Sequence, residues 1–180
     1  ATHETPWGAY AATAAVYDDI VVYAEQERIV ARNLTNGNLL WNFSDIDFPY
    51  STFAYTAPAI SNGRVWINSE SSTGFQSAYT YALNLTTGEL IWKLQFPDTM
   101  SQYSSYPIPT QMVNAPAISD GMVYWSSTTG QIGKILAVNE SNGTQILWEY
   151  NLSDYEHVNL GSVTLYNEKL IAEIYTNPGW

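Results

Sequence analysis

Ala82-Leu83-Asn84-Leu85-Thr86-Thr87-Gly88-Glu89-Leu90-Ile91-Trp92 reads as a strand, a tight turn and a second strand. Just upstream, Tyr79 and Tyr81 join Leu83 and Leu85 in a recurrence every second residue, the period of a half-buried strand. Thr86-Thr87-Gly88 breaks that run, because glycine takes the positive φ of a tight hairpin without a Cβ clash. Leu90, Trp92 and Leu94 resume the alternation on the return strand. The Asn84 side-chain oxygen is well placed to accept hydrogen bonds from turn N–H groups.

The rest of the chain repeats this unit, and the repeats divide it. Residues 1–10 are an N-terminal extension or a closing strand, in which Trp7-Gly8-Ala9-Tyr10 has strand character. Residues 11–54 form a first unit. Its strands centre on Ala14–Tyr17, Ile20–Tyr23, Arg28–Leu34 and Leu39–Phe43, and the third and fourth are joined through Thr35-Asn36-Gly37. Residues 55–110 hold the second unit plus a linker. In it the spacing predicts a long loop over residues 69–77 and a surface connection over 97–110, which carries three of the eight prolines. Residues 111–159 form a third unit, in which Ala115-Pro116-Ala117-Ile118-Ser119-Asp120-Gly121 parallels Ala57-Pro58-Ala59-Ile60-Ser61-Asn62-Gly63. Residues 160–180 begin a fourth, with two strands around Asn167-Glu168 and no third or fourth strand.

Four short antiparallel strands per unit, glycine turns and an aromatic signature predict an all-β chain of β-propeller blades. About three and a half repeats make it a partial or subunit-completed propeller. The turn tryptophans Trp41, Trp92 and Trp148 mark the return strand of each complete unit, and Gly37, Gly88 and Gly143 mark its turns. Residue 1 is Ala and no charged-then-apolar leader follows, which predicts either a processed chain or a fragment.

Composition narrows the function classes. Of 180 residues, 46% are hydrophobic and 14% aromatic, as in a folded chain with a large core. Six Lys+Arg against seventeen Asp+Glu give a net charge of −11, which disfavours binding to nucleic acid or to an anionic membrane surface. There is no cysteine, so disulfides, thiolate zinc sites and a cysteine nucleophile are excluded. His3 and His157 lie far apart without metal-ligand spacing. Asp18, Asp19, Asp45 and Asp47 are the carboxylates with chemical interest, and turn-capping or plain exposure is their expected role.

The pattern Ala82-x-Asn84-x-x-Thr87-Gly88-x-x-x-Trp92 resembles the tryptophan-docking repeat of quinoprotein-type (PQQ-like) β-propellers. In that repeat the position of Asn84 is usually Asp. Ala57-Pro58-Ala59-Ile60 with Gly63, Val65 and Trp66 is similar to the segment that precedes it, and so is Ala115-Pro116-Ala117-Ile118 with Gly121, Val123 and Tyr124. Ala31, Asn33, Gly37 and Trp41 fit in the first unit. Ala137, Asn139, Gly143 and Trp148 fit in the third, with one extra residue between Gly and Trp. The resemblance implies that Trp41, Trp92 and Trp148 pack between adjacent blades. One branch of that family consists of alcohol or sugar dehydrogenases that use pyrroloquinoline quinone and calcium. The other uses the propeller as a docking scaffold, as in outer-membrane assembly lipoproteins. This chain lacks the adjacent cysteine pair of many of the alcohol enzymes and a matching set of calcium ligands with an Asp base.

Six Asn-x-Ser/Thr triplets occur, at Asn33, Asn42, Asn84, Asn139, Asn142 and Asn151, none with proline in the middle. Chance predicts roughly two or three for this composition. The excess predicts N-glycosylation, with Asn42, Asn84 and Asn151 the favoured carriers, although Asn also serves turns. Abundant Tyr, Ser and Thr with few lysines resemble exported archaeal proteins in composition.

The expected function is therefore an extracellular or cell-surface, N-glycosylated scaffold without catalytic or metal-binding residues and without a cofactor. Its expected partner is a protein, or a second copy, at the open edge of the fourth unit; the N-terminal residues 1–10 or sequence outside this chain are the other ways to complete that edge. A fragment of a PQQ- and calcium-dependent dehydrogenase and a structural subunit of a surface layer or filament are the alternatives.

Overall fold

Runs such as Ile20-Val21-Val22-Tyr23 and Val65-Trp66-Ile67 are β-branched or aromatic, side chains that suit a pleated surface packed on both sides. The computed structural model describes residues 13–25, 27–47, 51–53, 56–71, 79–95, 99–100, 107–108, 115–129, 132–152 and 158–176. Among these residues there are strands and no helices.

The first sheet has the order β1 (Ala15–Tyr17), β2 (Ile20–Ala24), β3 (Ile29–Asn33), β4 (Leu39–Phe43). The second consists of β5 (Ser51–Thr52), β6 (Ala59–Ser61), β7 (Arg64–Ser71), β8 (Tyr79–Asn84) and β9 (Leu90–Gln95), with β5 and β6 both paired to β7. β10 (Thr99–Met100) and β11 (Pro107–Ile108) pair with each other. The third sheet has the order β12 (Ala117–Ser119), β13 (Met122–Thr129), β14 (Ile132–Asn139), β15 (Ile146–Asn151). β16 (Val158–Tyr166) and β17 (Lys169–Thr176) form a two-stranded sheet. All pairings are antiparallel between sequence neighbours apart from β5 with β7, so each sheet is a meander, the form of a propeller blade.

Two segments differ from the sequence expectation. β7 runs on to Ser71 where the spacing predicts a loop from residue 69, because β5 pairs with its end. The proline-bearing connection contains the β10–β11 pair. Residues 1–10, and with them His3 and the Trp7–Tyr10 stretch, lie outside the described residues, as does His157.

The blades stack face to face, and the core is the set of layers between them. Val22, Ile29, Ala31 and Trp41 of the first blade meet Val65, Ile67, Tyr81 and Leu83 of the second. Trp66 and Ala82 of the second meet Val123, Trp125, Leu136 and Val138 of the third. Tyr124 and Ala137 of the third meet Val163 of β16. This corrects the half-buried reading of residues 79–85. Tyr81 and Leu83 enter one layer and Ala82 the other, so β8 is buried on both faces. The alternation in the sequence marks which neighbour a residue faces, not solvent against core.

The turns between third and fourth strands share one device. The Asn84 Oδ1 accepts the N–H groups of Thr86 at 2.9 Å and Thr87 at 3.0 Å. Asn33 does the same for Thr35 and Asn36, and Asn139 for Ser141 and Asn142. In the first blade the Asn33 amide and the Thr35 hydroxyl also donate to Asp19. Those bonds, from Thr35 first and Asn33 second, hold the Asp19 carboxyl below the usual carboxylate range. A lowered folded-state pKa gives stability that is present above about pH 4 and lost as pH falls through the lowered value. Asp19→Asn is therefore expected to flatten the acid limb of the stability profile below about pH 4. Urea midpoints across that range measure it, and parallel wild-type and variant curves would refute the assignment.

Candidate functional site

In each complete blade the turn tryptophan lies directly across the ladder from an alanine: Ala31 with Trp41, Ala82 with Trp92, Ala137 with Trp148. All three alanines are fully buried. A small residue there leaves room for the indole to lie across its own sheet and project at the next blade. A bulge beside each alanine shifts the register and aims the ring.

The first two rings are docked. Trp41 donates its indole N–H to the Leu85 carbonyl of the second blade at 2.8 Å, and its ring covers Gly88. A methyl group on Gly88 would come within 2.6 Å of that ring. Trp92 covers Gly143 of the third blade so closely that a methyl there would sit 1.8 Å from the ring. Behind it Trp66 packs edge-on at 5.2 Å between ring centroids. Polar ties reinforce this second interface: the Asn62 amide donates to the buried Glu140 carboxylate at 2.9 and 3.0 Å, and Arg64 donates to the Glu140 carbonyl at 3.1 Å.

The third ring has no such cover among the described residues. Trp41 is 7% exposed, whereas Trp148 is 41% exposed and Tyr150 on the same strand 59%. β16 and β17 pack on the inner part of the third blade and leave its outer strand, β15, open. β17 pairs with β16 alone among the described residues, and Ile171 and Ile174 on it are exposed. At the other end, a methyl group added to Gly37 would meet no atom of the described residues within 4 Å, and Leu34 nearby is exposed. Among the described residues there is thus a docking tryptophan without its glycine and a turn glycine without its tryptophan.

The carboxylates singled out in the sequence do not converge. Asp18 and Asp19 sit in the β1–β2 turn, Asp18 with φ of 48°. Asp45 caps its turn as expected, its Oδ1 accepting the Asp47 N–H at 3.1 Å, but it is not on the surface. It is buried, accepts a 2.8 Å hydrogen bond from the Tyr81 hydroxyl, and pairs with Lys93 at 3.1 Å. Asp47 is exposed and lies 3.5 Å from the same ammonium. Both Asp45 oxygens therefore already face a cation that ties the second blade to the first. A calcium ion would have to displace it, and among the described residues no three carboxylate or imidazole groups cluster as metal ligands. As placed, Asp45 and Asp47 leave no open carboxylate pair for such an ion.

Burial alone would lower the Lys93 pKa, but the hydrogen bond and charge of Asp45 outweigh it and raise it. The pair's contribution is present below about pH 10 and is lost as pH rises through the raised value. Lys93→Met leaves a buried carboxylate without a counter-ion and is expected to cost about 2 kcal/mol, near half the fully buried limit because the lysine is partly exposed. Asp45→Asn keeps an acceptor for Tyr81 and leaves Lys93 near Asp47, so about 1 kcal/mol is expected. Chemical unfolding of both variants checks the asymmetry; a costlier Asp45→Asn would contradict it.

The candidate glycan carriers fall into two groups. Asn33, Asn84 and Asn139 build the turns with their Oδ1 atoms. Asn42 is exposed on β4 and Asn151 exposed at the end of β15, while Asn142 is exposed in the longer third turn and accepts from Thr144.

A family profile described as outer membrane protein assembly factor BamB matches residues 9–169. Among solved structures, the chain is similar to the quinohemoprotein alcohol dehydrogenase ADHIIG from Pseudomonas putida HK5, at 17% identity and a TM-score of 0.61 over 91% of this chain and 30% of that one. It is similar to a europium-containing methanol dehydrogenase at 15% identity and 0.58, over 77% of this chain and 24% of that one. It is also similar to BamB from Moraxella catarrhalis at 16% identity and 0.51, over 93% of this chain and 61% of that one. The chain thus spans less than two thirds of each of these structures. Comparison with curated protein sequences finds no match. At these identities the structural likeness establishes the propeller fold, shared by named dehydrogenases and an assembly factor alike.

Proposed function

The chain belongs to the PQQ-like repeat family described as outer membrane protein assembly factor BamB, and from that premise we propose that it is a non-catalytic propeller scaffold that binds protein at its blade edge. The observation that carries this reading is the contrast between Trp41, docked on Gly88, and Trp148, open in a chain whose β17 has, among the described residues, one free edge. An exposed strand edge is a template for strand addition. The partner that fits is a β-hairpin with a glycine turn, because the same interface is used twice within the molecule. Such a hairpin would extend β17 and bring its glycine under the Trp148 ring.

A peptide spanning residues 79–95, the chain's own β8–β9 hairpin, is the probe. Saturating peptide is expected to slow amide exchange along β17 by at least about tenfold and to shift Trp148 emission to the blue. Unchanged β17 exchange would overturn the reading. Self-association through this edge is tested by light scattering at high concentration, where a strict monomer rules it out.

The location that accords with this scaffold is the cell exterior, and the sequon excess supports it. In this reading Asp45 is structural, held by Lys93 and Tyr81. Binding of pyrroloquinoline quinone with calcium, or dye reduction in the presence of an alcohol, would sink that part of the reading. Open tryptophan and open glycine at opposite ends favour a second arrangement, head-to-tail polymerisation in a surface layer or filament. Electron microscopy of native material separates ordered arrays from dispersed particles.

A further inference from the structure

We propose that Asn42 and Asn151 carry N-linked oligosaccharide on the outer rim, and that Asn33 does not. The inference rests on the exterior location proposed above, because the modification needs an export pathway.

The six sequons are not equivalent once their atoms are placed. Asn33, Asn84 and Asn139 occupy the same turn position in three blades, and each Oδ1 holds two following N–H groups. Turn geometry accounts for an Asn at each of them. Asn33 is further constrained, since its Nδ2, the atom that would bear sugar, donates to Asp19. Asn142 has a local reason as well, accepting the Thr144 hydroxyl at 2.7 Å within the turn.

Asn42 and Asn151 have no turn to build. Asn42 stands between Trp41 and Phe43 in β4, a strand position that disfavours Asn. Its side chain is exposed and has no hydrogen-bond partner among the described residues. Asn151 is the last residue of β15, exposed, with its Nδ2 held among the described residues by one long 3.4 Å contact to Glu149. Both belong to the fourth and outermost strand of their blades. In each, a buried or half-buried hydrophobe, Phe43 or Leu152, separates the Asn from the Ser that completes the triplet. That hydrophobe anchors the triplet to the blade while the Asn stays in solvent. Glycan at these positions would shield β4 and β15 without entering the layers between blades.

Glycopeptide mapping by mass spectrometry on the protein from its native host tests this. Peptides containing Asn42 and Asn151 are expected to carry sugar and the Asn33 peptide none. Ser44→Ala and Ser153→Ala, which keep both asparagines, are expected to remove the sugar and leave the urea midpoint of the deglycosylated chain unchanged. Sugar on other sequons with Asn42 and Asn151 bare overturns the assignment and leaves the exterior location standing. Six bare sequons overturn both. Sugar on Asn33 refutes the role given to Asp19.

Discussion

Gly143→Ala is expected to destabilise the chain by about 3 kcal/mol, the upper part of the overpacking range, for the addition of one methyl group. That methyl would lie 1.8 to 2.0 Å from three carbons of the Trp92 ring. The ring has little room to retreat, because Trp66 stands behind it at 5.2 Å and the fully buried Ala82 lies opposite in the ladder. The expected response is a partial opening of the interface that also holds Asn62 on Glu140. Gly37→Ala is the control. Its φ of +73° makes alanine unfavourable, but none of the described residues lies within 4 Å, so about 1 kcal/mol is expected. Gly88→Ala combines a φ of +73° with a 2.6 Å approach to Trp41 and should fall between the two or match Gly143→Ala. Urea unfolding of the three variants measures the order. Equal losses at Gly37 and Gly143 would mean that the glycines are kept for turn conformation alone, and that the tryptophan does not require them.

The three glycines mark where the fold is legible in the sequence and where it is not. The strands, their pairing and the blade repeat are readable because every step is local: an alternating run, an Asn-initiated turn, and a tryptophan opposite an alanine. A glycine in such a turn implies a positive φ, and Gly37 and Gly88 have one. Gly143 does not; its turn is one residue longer, and the glycine serves as floor for a ring from another blade. Local pattern does not supply that role, since Trp92 is brought there by stacking of sheets.

Asp45 caps its turn, which is local and readable, but its burial is not, for the same reason. Its partners Tyr81 and Lys93 are 36 and 48 residues away. One signal is present in the sequence: Lys93 is one of six basic residues in the chain and stands mid-strand between Trp92 and Leu94. A cation in such a place needs an anion nearby. The open tryptophan obeys the same logic. The motif around Trp148 matches those around Trp41 and Trp92, but exposure is a property of the neighbour, which a motif does not encode.

Trp41→Ala is expected to cost about 3–5 kcal/mol, as for a large aromatic removed from a core, whereas Trp148→Ala should cost about 1 kcal/mol or less in the chain alone. The first ring is 7% exposed, lies over Gly88 and gives the Leu85 carbonyl its indole N–H at 2.8 Å. Its loss leaves a void between blades and a carbonyl without that donor. Trp148 is 41% exposed and keeps one aromatic neighbour in its own blade, Tyr124, at 6.0 Å. The two substitutions are identical in chemistry and, apart from the longer third turn, correspond in motif position, so the difference chiefly reports the neighbouring blade. With the 79–95 hairpin bound, the order should change. Trp148 would then occupy the same environment as Trp41, and Trp148→Ala should weaken binding by about tenfold to a thousandfold, the range for losing one buried aromatic anchor. Calorimetric titration of the wild type and variant measures this. Equal affinity would mean that the hairpin pairs with β17 through backbone only and that the open tryptophan is not a docking element.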